Sequence, residues 1–134
     1  MNPDGSGKAQ VTDIVPGETA AAWSADGTQL LFASGWTATQ VPDVYIAIAG
    51  GGSATRITET SDTPEADPGW SPDGSRIVFS AYGSAGWDLF VATADGKGLV
   101  ALVRAEQDEF SPAWSPDGSR IAFTSRPPYQ GGGD

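Results

Sequence analysis

The 134-residue chain carries 17 acidic against 7 basic side chains, a net charge of −10, and neither Cys nor His. Without cysteine there are no disulfides, thiolate metal sites or thiol nucleophiles. Without histidine there is no Ser-His-Asp triad, no imidazole base and no His-ligated zinc. Sparse, scattered basic residues disfavour nucleic acid as a partner, and no apolar run nears the roughly 20 residues of a membrane-spanning helix.

The chain is organised by an internal repeat. WSADGTQL at 23–30 returns as WSPDGSRI at 70–77 and again at 114–121. Trp23, Trp70 and Trp114 are thus spaced by 47 and 44 residues. Gly5, Gly52 and Gly96 each stand 18 residues before a Trp, and Glu18, Glu65 and Glu109 each stand five before one. Three markers in one phase identify a tandem repeat.

In chain order, residues 1–17 (MNPDGSGKAQVTDIVPG) read as the end of one strand, a turn and a further strand. MNPDGSG lacks the basic and apolar regions of a signal peptide. Units 18–66 and 67–110 are complete, and 111–134 is an incomplete unit complementary to 1–17. The middle unit predicts four strands. Strand a runs from Pro68 to Ser71, and the Ser71-Pro72-Asp73-Gly74 turn leads into strand b, Arg76 to Ser80. Strand c spans Asp88 to Thr93, a tight Asp95-Gly96 turn follows, and strand d spans Leu99 to Val103.

No segment sustains a helical period, and 18 Gly with 10 Pro punctuate the chain. Strands b and c are nearly continuous apolar runs, such as Ile77-Val78-Phe79 and Leu89-Phe90-Val91, which implies burial on both faces. An all-β propeller meets that condition, because each four-stranded blade packs between two others. A β-sandwich would give no reason for the repeat.

The WSPDG turn, the strand after it and DLFVATADGKG closely resemble the TolB-like, WD-type β-propeller repeat over essentially the whole chain. The first copy departs in having WSADG. The resemblance implies a propeller, usually six-bladed. It also implies protein–protein contact in the bacterial envelope or periplasm, or a non-catalytic place in a peptidase.

About three four-stranded blades cannot close a ring of the usual four to eight. The expectation is a homodimer of C2 symmetry forming six blades, with the blade of 1–17 plus 111–134 shared between chains. Its seam, Gly131-Gly132-Gly133-Asp134 followed by Met1-Asn2, is a poor strand sequence. The alternative is an excerpt of a longer TolB-like propeller with no function of its own.

Loops of an antiparallel blade alternate between two faces. One face carries the turns of Asp26-Gly27, Asp73-Gly74 and Asp117-Gly118, whose Asp side chains read as turn formers. Trp23, Trp70 and Trp114 read as packing residues. The other face gathers acidic residues in the d–a loops, with Trp36, Tyr82, Trp87 and Tyr129 in the b–c loops. Glu18, Glu65, Asp67, Glu109, Trp36, Trp87 and Tyr129 are therefore the candidate binding residues for a protein, a peptide or a cation.

Glu18, Glu65 and Glu109, at the start of each innermost strand, would form a ring at a channel mouth. All-oxygen ligands would favour Ca²⁺ or Mg²⁺. Otherwise no cofactor is expected, and each Glu would accept hydrogen bonds from backbone nearby. The chain is expected to be non-catalytic. The enzymatic alternative is a carboxylate-dependent hydrolase or lyase using Glu65 with Asp67, or Asp108 with Glu109.

Overall fold

The computed structural model describes residues 3–12, 17, 19–35, 37, 40–60, 62–103 and 106–127. Among the described residues ten strands form three antiparallel sheets. The first contains β1 (Thr19–Trp23), β2 (Gln29–Ser34), β3 (Asp43–Ile48) and β4 (Thr55–Arg56). The second contains β5 (Glu65–Trp70), β6 (Arg76–Tyr82), β7 (Trp87–Thr93) and β8 (Val100–Val103). The third holds β9 (Asp108–Trp114) and β10 (Ile121–Arg126). The strands of each sheet lie side by side in sequence order, and β5 packs against both β1 and β9. Successive blades are thus stacked through their first strands, as in a propeller.

The WSxDG turn is built the same way three times. Gly27, Gly74 and Gly118 all have φ of 70°, a left-handed conformation that glycine adopts without penalty. The Ser24, Ser71 and Ser115 hydroxyls donate to the Asp26, Asp73 and Asp117 carboxylates at 2.7, 2.6 and 2.6 Å. Each Asp also accepts the backbone N–H two residues on, from Thr28, Ser75 and Ser119. These bonds, led by the serine hydroxyl, hold all three carboxyls down to about 2.

Strands b and c carry the core. Leu31, Val44, Ile77, Phe79, Ala81 and Ala92 are buried together, with Trp70 and Phe90 packed against them. Phe32 stacks on Tyr45 at 5.9 Å and Phe79 on Phe90 at 6.0 Å, each a cross-strand pair in register.

Two features differ from the expectation. The innermost strand begins at Glu65 rather than Pro68, and each copy carries an irregularity. Ala20, Asp67 and Ser111, one repeat apart, have φ of 50°, 51° and 51°. A bulge at this point re-aims the chain. The Asp67 carboxylate then accepts both the backbone N–H and the hydroxyl of Ser111, its counterpart in the next blade, at 3.0 Å each.

Second, residues 3–12 form no strand. Asp4 builds the expected turn, accepting the Ser6 N–H at 2.9 Å. Among the described residues no strand is paired with the segment beyond it. A cleft of about 530 Å³ separates Ala9–Thr12 from Thr19–Ala21 and Phe32. The seam residues lie outside the described residues.

Candidate functional site: carboxyl groups sealed between blades

Glu65 opens β5 and is only 1% exposed. Its side chain turns back into the preceding blade. The Val44 N–H donates to Oε2 at 3.2 Å, and the Thr58 hydroxyl donates to the same oxygen. Oε1 lies 3.1 Å from the Thr60 hydroxyl. Asp43, buried beside this group, takes the Arg56 guanidinium at 2.5 Å and the Thr60 N–H at 3.1 Å. A single polar network thereby ties strands β3 and β4 of one blade to the first strand of the next. Burial pushes the Glu65 carboxyl up to about 7, against the pull of the Thr58 and Thr60 hydroxyls, and the Asp43 charge adds to the rise.

Glu109 occupies the same place at the next junction and is also 1% exposed. Its surroundings differ. Val103, paired with Leu89, stands where Thr58 stands beside Val44, so the hydroxyl donor is replaced by a methyl group. Among the described residues Oε2 has no hydrogen-bond partner, and Oε1 has only the Ser125 hydroxyl at 3.4 Å. Burial first, then the charges of Asp88 and Asp108, raises its pKa. Asp108, 5% exposed, accepts the Trp87 N–H at 3.0 Å.

The structure thus encloses Glu65 and Glu109 between blades instead of opening them onto a channel mouth. The donors around Glu65 point hydrogens at it, the opposite polarity from a cation site. Among the described residues no three of His, Cys, Asp and Glu are grouped to hold a metal. Glu18 lies outside the described residues, as do Trp36 and Tyr129. Asp67 is occupied by Ser111, so neither Glu65 with Asp67 nor Asp108 with Glu109 presents two open carboxyls to a substrate.

Trp87 is half-buried in an aromatic row. Tyr82 meets it edge-on at 5.6 Å, Phe110 lies 5.5 Å away, and the Arg126 guanidinium covers Phe110 at 4.4 Å. This row borders the b–c and d–a loops, where Tyr82, Glu59 and Glu106 are exposed. Asp43, Thr58 and Thr60 were not anticipated as part of any site. A signal for the first was present, since DVYIA and DLFVA each open a third strand with Asp.

No protein-family model matches the sequence, and no curated protein matches it. Solved structures do. A TolB protein of Agrobacterium tumefaciens superposes with a TM-score of 0.77 at 24% identity, over 86% of this chain and 40% of that one. TolB of Acinetobacter baumannii gives 0.66 at 23%, over 81% and 26%. A puromycin hydrolase S511A mutant gives 0.55 at 18%, over 66% and 14%. The chain spans less than half the length of each of these three structures. Its fold is that of the TolB-like β-propeller.

Proposed function

We propose that this chain is a non-catalytic propeller module that closes a six-bladed ring with a second copy of itself and offers its acidic loop face to a basic protein or peptide. The observation carrying the first part is Phe123. Its repeat counterparts Phe32 and Phe79 are 4% and 1% exposed, whereas Phe123 is 44% exposed, in a sheet that has two strands among the described residues. Leu99, Val100 and Leu102 are bare at the same end of the arc, and Trp23 is bare at the other. Uncovered apolar surface of this kind marks an interface. Light scattering is expected to give a particle of twice the 13.8 kDa chain mass; a folded particle of one chain overturns self-closure.

The loop face supports the second part. Glu59 and Glu106, in the d–a loops, and Tyr82, at the end of β6, are exposed in a chain of net charge −10. No cofactor is required. An oligolysine peptide is expected to bind at low salt and to lose at least tenfold in affinity when Glu59→Lys and Glu106→Lys are combined. Unchanged affinity in that variant would remove this face from the proposal.

A further inference from the structure

The junctions between blades show what a closing junction must contain. At each of them the Trp of one blade sits against the WSxDG turn of the blade before. Trp70 shares a cleft of about 270 Å³ with Ser24, Ala25 and Asp26, and Trp114 shares one of about 290 Å³ with Ser71, Pro72 and Asp73. Both indoles are half-buried. Trp23, with no WSxDG turn against it among the described residues, is 59% exposed. Among the described residues no tryptophan lines the cleft beside the Ser115–Gly118 turn.

A second contact lies on the outer side. Gly96, in the turn between β7 and β8, is pressed onto the previous blade so closely that a Cβ there would lie 2.1 Å from the Ile57 carbonyl oxygen. Strand pairing gives Leu102 the place of Ile57 in the second blade, since Arg56 pairs with Tyr45 as Ala101 pairs with Phe90. Leu102 is 45% exposed. Gly5 holds the place of Gly96 in the repeat, with φ of 85° against 81°, yet nothing lies within 4 Å of its Cβ position. Each half-contact at one end of the arc has its complement at the other end.

We infer that two copies meet head to tail, with Trp23 of one chain seated on the partner's Ser115–Gly118 turn and Gly5 of the same chain pressed against the partner's Leu102. The inference rests on the ring-closing reading above and specifies its contacts. One chain direction satisfies both, because the N-terminal turn and Trp23 belong to the same end. The occupant is a second copy, since within the chain the Trp–turn contact is already formed twice and the glycine contact once.

The full chain and three variants distinguish the outcomes by sedimentation equilibrium, with near-ultraviolet circular dichroism to follow packing. Trp23→Ser and Gly5→Val are each expected to weaken self-association at least tenfold without loss of the folded spectrum. Gly27→Val is the control. That glycine has φ of 70° and equally open surroundings, but it belongs to a turn already covered by Trp70 within the chain. Its variant is expected to associate as the unmodified chain does. An unmodified chain of two-chain mass whose Trp23→Ser and Gly5→Val variants associate equally well overturns these contacts while leaving ring closure intact. A single-chain mass for the unmodified protein overturns ring closure itself.

Discussion

Glu65→Gln is expected to remove most of the pH dependence of stability between about 4.5 and 7, the interval over which the unmodified chain weakens. The folded state holds the Glu65 proton up to about 7, whereas an unfolded chain releases it near 4.5. Between those values the folded state binds more protons, so raising the pH favours unfolding. The contribution is fully present below 4.5 and is lost as the pH climbs through 7. At ~1.4 kcal/mol per unit, the whole effect is about 3 kcal/mol as an upper figure. Glutamine reproduces the protonated state. The Thr60 hydroxyl has one hydrogen and lies 2.9 Å from the Thr63 carbonyl oxygen, so its oxygen is left to accept from Oε1–H of the acid or from the amide of Gln.

Urea midpoints at pH 5 and pH 8 check this. The unmodified chain should be weaker at pH 8, and the variant should show a much smaller difference, the remainder coming from Glu109, whose raised carboxyl acts in the same direction. Below pH 4 the sign reverses in both proteins. Asp26, Asp73 and Asp117, held at about 2, are stabilising when charged and lose that contribution as acid protonates them. Parallel profiles between pH 5 and 8 would place the proton elsewhere.

The repeat made the blade legible because its turns are local. A Ser-x-Asp-Gly run closes on itself within a few residues, and apolar runs such as Ile77-Val78-Phe79 announce two covered faces. The bulge at Ala20, Asp67 and Ser111 was hidden because Asp67-Pro68 and Ser111-Pro112 look like ordinary strand approaches. Only docking of successive inner strands forces a left-handed residue there. The repeat position of Glu65 and Glu109 was equally plain, but their direction was not. Whether a carboxyl at the start of an inner strand faces a channel or a neighbouring blade depends on Thr58, Thr60 and Val44, which belong to the preceding blade and the loop that leaves it. A residue's phase in a repeat says where it recurs, and the adjoining blade decides what it touches.

Gly96→Ala is expected to destabilise the chain by about 3 kcal/mol, and Gly74→Ala by only about 1 kcal/mol. Both glycines have positive φ, 81° and 70°, so each substitution places an L-residue in a left-handed conformation. They differ in what surrounds them. Nothing lies within 4 Å of a Cβ at Gly74, whereas at Gly96 it would lie 2.1 Å from the Ile57 carbonyl oxygen and 3.1 Å from the Ile57 carbonyl carbon. Backbone cannot swing aside as a flexible side chain can, so the turn between β7 and β8 must lift off the first blade. Lifting it separates Ile57 from the core cluster and strains the Glu65 network a few residues along. Urea denaturation of the two variants at one pH measures the difference directly. Equal losses would mean that the contact is slack, and that blades are held together by the inner strands alone. A larger loss at Gly96 would mean that each blade is gripped at both its inner and its outer edge, the condition under which an arc of repeats keeps a fixed curvature and can close.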